Sequence, residues 1–186
     1  MSPARRSFIV SKDELTLTDQ RNAREMAYQN ALQRATAKWQ VGEDELVIRG
    51  FQCLLDAGTA LEQWNTAALN VVGTAYSVFQ AIAAPTLAIT KLACFYKVGI
   101  ESIAPFPVGL LTFRTGGAAG NIKYQFDLEQ IINGETSEGY FSEVVEIDPN
   151  EIFAAQVLCR VATGVLARVQ LGGFIVEGLG STITGI

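Results

Sequence analysis

The chain has 186 residues, 49% hydrophobic and 18% charged, with a net charge of −5. That is material for one domain with a full core, and it excludes extended disorder. There is no histidine, so a Ser-His-Asp triad, a Cys-His dyad and a two-histidine zinc site cannot be built. Fourteen Lys and Arg against nineteen Asp and Glu give no basic field, and no sequence-specific nucleic-acid partner is expected.

Residues 1–17 read as an arm. Arg5-Arg6 is a solvated basic tail, and Phe8-Ile9-Val10 and Leu15-Thr16-Leu17 favour β structure. The three-residue apolar run before Lys12-Asp13-Glu14 is too short for a secretory leader, so folding in a cytoplasm is expected. A helix is predicted from about Thr18, capped by Thr18 or Asp19, and no Gly or Pro interrupts it before Gly42. Tyr28, Leu32, Ala35 and Trp39 fall at i, i+4, i+7 and i+11 and make one narrow apolar face. Such a face docks on its own domain or on a neighbour, and these four residues are the candidate assembly contacts. The expected division is an arm with an amphipathic helix (1–41) and a β domain (42–186).

Past Gly42 the pattern turns to β. Strands are predicted over 45–55, 76–82, 87–98, 108–114, 122–128, 140–147, 152–163 and 166–177. The clearest is 122–128: Ile122, Tyr124, Phe126 and Leu128 face one way, and Lys123, Gln125 and Asp127 the other. Gly172-Gly173 predicts a bulge or a close backbone approach in the last strand. Seven to nine short strands with no αβ alternation define the fold class. It is mainly β, an antiparallel single jelly roll (sandwich or barrel) with an N-terminal helical arm.

From Gln63 to Thr90 there is no charge, but Asn65, Asn70, Gly73, Ser77, Gln80 and Pro85 break the run. It reads as buried strands and turns, with a membrane-embedded segment as the alternative. Cys53, Cys94 and Cys159 lie in apolar stretches with no CxxC spacing and read as buried free thiols. The loop Gly116-Gly117-Ala118-Ala119-Gly120 lacks the Lys-Ser/Thr of a phosphate loop and reads as a hairpin connection. Glu143, Glu146, Asp148 and Glu151 cluster at a turn without calcium-loop spacing, and Glu135 and Glu138 sit in a polar loop. Asp127 and Glu129 share a strand face, with no opposing acid in view for glycoside hydrolysis. Pro105-Phe106-Pro107 reads as a structured connection. No catalytic residue, cofactor or metal is expected.

The strand order LAITKLACFYKV, PFPVGLLTFRTGG, NIKYQFDLEQI, GYFSEVVEIDPNEIFAAQVL and ARVQLGGFIVEGLG covers about residues 85–180. It resembles the small single-jelly-roll major capsid proteins of tailless icosahedral viruses with an internal membrane, the sphaerolipovirus type. The resemblance implies a viral structural protein in the virion, made in the host cytoplasm. Such a protein self-assembles into an icosahedral shell with a larger single-jelly-roll partner, close to the internal viral membrane, and has no active site. The helix with Tyr28, Leu32, Ala35 and Trp39 would then meet a neighbour or the base of the shell. The alternative is a soluble β-sandwich binding module, such as a domain of a phage fibre or accessory protein.

Overall fold

The structure, a computed structural model, describes residues 7–59, 64–79, 82, 84–101, 107–131 and 137–178, the side chain of Leu54 apart. The chain opens with β1 (Ile9–Ser11) and then the single α-helix of the described residues, α1 (Leu17–Trp39). Eight further strands follow: β2 (Leu46–Gly50), β3 (Ala75–Ser77), β4 (Lys91–Glu101), β5 (Val108–Thr115), β6 (Asn121–Asp127), β7 (Glu138–Ile147), β8 (Phe153–Cys159) and β9 (Arg168–Gly178).

Two antiparallel sheets face each other. One has the order β1-β7-β4-β9-β2 and the other β3-β8-β5-β6. The pairs are nested: β2 with β9, β3 with β8, β4 with β7, β5 with β6. A chain folded back on itself at β5–β6 and then rolled up gives this nesting, and it is the winding of an eight-stranded jelly roll. β1 adds a ninth strand at the free edge of β7.

The core between the sheets is aromatic. Phe51, Trp64, Phe79, Phe95, Phe113, Phe126, Phe141 and Phe153 form a chain of ring contacts through it, with centroids 4.3 to 6.2 Å apart. Each such pair contributes about 0.5–1.5 kcal/mol beyond the area it buries. The alternation expected for 122–128 holds from Tyr124 on, with Phe126 and Leu128 fully buried, but the register against β5 shifts at Lys123, so Ile122 pairs with Arg114 and is exposed.

α1 lies on the outer face of the first sheet. Ala31, Ala35 and Trp39 pack with Leu92 and Cys94 of β4 and Val176 of β9 in a second core cluster. The helix starts one turn-position earlier than the sequence reading placed it. Thr16, not Thr18 or Asp19, is the N-cap: its Oγ1 accepts from the Asp19 N–H (3.2 Å), and Asp19 Oδ2 accepts from the Thr16 N–H (3.0 Å). The reciprocal pair satisfies two end donors at once, which a cap at Asp19 would not do.

Three other predicted strands are shorter than expected. The strand expected over 45–55 ends at Gly50, and Cys53–Ala57 closes into a single π-helical turn. The strand expected over 76–82 shrinks to β3, and 64–74 and 84–90 run as irregular chain. Trp64, Leu69, Val78, Phe79 and Leu87 plug into the core from this stretch with little ladder of their own. No helix of the described residues is long and apolar enough to cross a membrane. The strand expected over 152–163 ends at Cys159.

The glycine pair in β9 marks a close approach, as expected, while the bulge sits across from it. The register of β4 against both β7 and β9 shifts between Phe95 and Lys97. Tyr96 is therefore the extra residue, opposite Gly172 and Gly173, and a Cβ on Gly173 would run into the Cys94 carbonyl and Phe95. Upstream of the bulge Ala93 and Phe95 face the core, and downstream Val98 and Ile100 do. Tyr96 and Lys97 are left side by side on the outer face.

Candidate functional site

The four helix residues singled out from the sequence all lie on the sheet side. Leu32, Ala35 and Trp39 are buried, and half-buried Tyr28 meets the Phe174 ring edge-on at 5.8 Å. In the described structure their contacts are with this chain's own sheet. Trp39 Nε1 has no hydrogen-bond partner there, so the indole is held by packing.

The acidic turn after β7 is neutralised by the helix. Arg34 pairs with Glu146 and, at 2.8 Å, with Asp148, while Lys38 stands 3.6 Å from Asp148. Burial works to raise the Asp148 carboxyl, but the Arg34 hydrogen bond and the charges of Arg34, Lys38 and Lys123 together hold it below its usual range. Glu151 pairs with Lys123 (3.3 Å), Glu138 with Lys12 (2.9 Å) and Glu129 with Arg160 (2.8 Å). Asp127 Oδ1 accepts from the Glu129 N–H at 2.9 Å. These carboxylates hold loops and strands together and leave no pair facing a cleft. No group of three potential ligands for a metal ion occurs among the described residues. Glu135, Pro105 and Phe106 lie outside the described residues.

The hairpin expected at Gly116–Gly120 joins β5 to β6. Gly116 and Gly117 take φ of 81° and 102°, and the Gly120 carbonyl accepts from Arg114 Nη1 at 2.8 Å. Burial pushes the Cys94 thiol up to about 12, and all three cysteines are buried. A buried, protonated thiol is a packing residue, not a nucleophile.

Sequence reasoning missed the most concentrated polar feature. The Asp56 carboxylate, with no exposed side-chain surface, accepts from Arg49 through two bonds of 2.8 and 2.6 Å, from Lys91 at 2.9 Å and from the Gln52 N–H at 2.8 Å. Glu177 closes the ring, 2.5 Å from Arg49 and 3.2 Å from Lys91. Two cations and two anions thus tie the π-helical turn to β2, β4 and β9. The four residues are scattered over the chain, so no local pattern announces them.

The ends of β2, β4, β6 and β8 and the starts of β3, β5, β7 and β9 lie at one end of the roll. There the 69–74 and 159–165 segments are hydrogen-bonded together through Leu69, Gly73, Thr74, Cys159, Gly164 and Val165. Val71, Val72, Val161, Val165 and Leu166 stand out from this paired rim, between 38% and 59% exposed. From Ala67 to Phe79 and from Val161 to Ala167 there is no charged residue. These exposed apolar side chains stand on two hydrogen-bonded segments, with Val161, Val165 and Leu166 between Arg160 and Arg168.

No family model matches the chain, and no curated protein matches it. Among solved structures it is similar to the VP2 subviral particle of infectious bursal disease virus, with a TM-score of 0.40 and 12% identity over 76% of this chain and 34% of that one. A structure of the Gx strain of infectious bursal disease virus aligns with a TM-score of 0.36 and 14% identity, over 74% of this chain and 33% of that one. The chain thus spans about a third of the length of these structures.

Proposed function

We propose that the chain is a structural subunit of a virus shell, a single-jelly-roll major capsid protein whose surface serves to meet other subunits. The observation that carries this reading is the charge-free apolar rim at one end of the roll, formed by Val71, Val72, Val161, Val165 and Leu166. A jelly roll has a buried interior and presents its loop ends and outer faces for contact. A rim whose exposed side chains are apolar, flanked by the Arg160–Glu129 and Arg168–Glu101 pairs, suits an interface with an apolar centre and a polar edge. Of the two carboxylates considered for hydrolysis, Glu129 is paired with Arg160 and Asp127 accepts from the Glu129 N–H. Association with a larger single-jelly-roll partner over an internal membrane is the finer form of this proposal, and the resemblance in strand order supports it.

The test is the mass of the native particle, by light scattering and negative-stain microscopy. A shell or a capsomer-sized assembly is expected, and a well-behaved monomer at high concentration overturns the proposal. Val71→Asp with Val165→Asp is expected to abolish assembly and leave the circular dichroism spectrum unchanged. Both sites are exposed, so the pair tests the contact without loading the core.

A further inference from the structure

The sheet-facing stripe of α1 changes character half-way along. Through its C-terminal half it reads Tyr28, Leu32, Ala35 and Trp39, and it packs on the sheet. Carried back toward the N-terminus at the same spacing, it becomes Arg24, Arg21 and Leu17. A helix that docked along its whole length would be apolar there. Instead its N-terminal half stands over a groove with room for about 700 Å³, between Arg21, Arg24 and Tyr28 on one side and Ile48, Gly50 and Phe174 on the other. A recess of about 280 Å³ continues it, where the two arginines meet Tyr96 and Lys97. The bulge brings Lys97 into this recess: with unbroken alternation it would share a face with Ala93 and Phe95 and point into the core.

The charges here are left over. Elsewhere among the described residues, Lys and Arg side chains pair with carboxylates, apart from Arg114, whose guanidinium is taken by Gln156 and the Gly120 carbonyl. Arg21 and Arg24 have no ion-pair partner among the described residues, and Lys97 makes none within 4.0 Å, though its charge helps to hold the Glu138 carboxyl down. Arg24 lies over the Phe174 ring at 5.9 Å. The groove's carboxylate, Glu25, is held by the Gln29 amide. The matching excess of negative charge lies just beyond the other end of the helix. Glu43, Asp44 and Glu45 form an acidic 3-10 turn in which Glu43 and Asp44 are exposed and have no cation partner among the described residues. One chain cannot join the two, because the helix from Arg24 to Trp39 alone spans about 22 Å.

We infer that the groove receives the Glu43–Glu45 turn of a second copy of this chain. The inference rests on the shell-subunit reading only in taking self-association as the protein's business. Arginine forks bind carboxylates in pairs, and Lys97 adds a third donor at the floor. Uncompensated charge of opposite sign on opposite poles of one helix sets the direction of approach and rejects a reversed one. The contact complements the apolar rim, supplying register where the rim supplies area.

The experiment uses two variants, R21E/R24E and E43K/D44K, each altered at exposed positions and checked for an unchanged circular dichroism spectrum. Sedimentation velocity is run at about 20 mM and about 500 mM salt, where screening over the contact differs several-fold. The wild type is expected to associate at low salt, with at least about a tenfold weaker association constant at high salt. Each variant alone loses that association, and an equimolar mixture regains it, because the acidic groove of one accepts the basic turn of the other. Association by either variant alone at the wild-type level overturns the inference, as does a mixture that does not recover. If wild type and both variants all close into shells alike, the shell reading stands and the groove contact falls. If the wild type stays monomeric at low salt, both fall. A thymidine oligonucleotide that binds the wild type and not R21E/R24E, with self-association unaffected, reassigns the groove to nucleic acid and overturns the inference too.

Discussion

Replacing Asp56 by Asn removes one negative charge from the ring of four and keeps nearly the same shape. The side-chain amide oxygen can still accept from the Gln52 N–H, but Arg49 and Lys91 are left with Glu177 as their one carboxylate, beside the Gly50 and Leu55 carbonyls. Breaking a buried ion pair by removing one partner costs about 3–5 kcal/mol. Asp56 itself has no exposed side-chain surface, while Arg49 and Lys91 keep 24% and 19% of theirs, so water recovers part of the loss. The lower end, about 3 kcal/mol, is the expected cost. For a chain of this size that lowers Tm by about 6–12 °C at pH 7, read by circular dichroism. The pH dependence checks the cause. Burial acts to raise the Asp56 and Glu177 carboxyls, and the hydrogen bonds from Arg49 and Lys91 outweigh it, leaving both below their usual range. Depressed carboxyls stabilise the fold fully above the ordinary carboxylate value of about 4 and lose that contribution as pH falls through the lower folded values. The gap between wild type and D56N is therefore expected to close in acid. A Tm within about 2 °C of wild type at pH 7, or a gap that stays constant into acid, would refute the reasoning.

Two further changes probe the packing. Trp39→Ala empties the centre of the helix–sheet cluster and should cost about 3–5 kcal/mol by urea unfolding. Trp39→Phe should cost less than about 1.5 kcal/mol, because the indole N–H has no bond to lose. Equal losses for the two would show that a hydrogen bond, and not volume, holds the helix. Gly173→Ala should lower stability by about 1–3 kcal/mol in thermal melts, since its Cβ meets backbone of β4. Gly50→Ala, whose Cβ would find open space, is the control and should melt like wild type.

The sequence spoke most plainly where a strand has one wet and one dry face. Residues 122–128 were placed by period-two alternation and lie within a position of β6. The connection between β2 and β4 was opaque for the opposite reason. Its apolar residues, Trp64, Leu69, Val78, Phe79 and Leu87, are buried as single plugs between irregular turns, and burial without a ladder leaves no period to read. The glycine pair at 172–173 announced a close approach but not that the extra residue would be Tyr96 on the facing strand. The apolar stripe of α1 correctly identified a docking face. Which body it docks on is decided by the outer surface of β4 and β9, far away in the sequence. The Arg49–Asp56–Lys91–Glu177 ring is assembled only by the winding, with Arg49 and Glu177 128 positions apart.

The nested pairing also sets the order in which this molecule can become itself. β5 and β6 are neighbours in sequence and can close as soon as both exist, whereas β2 has to wait for β9, its sole described partner in the sheet. β9 lies between β4 and β2, so the last of the described strands fills an interior place in the first sheet, not its edge. Until then β2 has no place, and neither does the outer surface on which the helix rests. Pairings this distant are slow to form because the chain must give up its freedom before the contacts repay it. A ribosome-bound fragment would hold an incomplete sheet, and no finished surface could be offered to a neighbour before residue 178 had emerged. Maturity of the subunit and competence to associate are thus gated by a single strand.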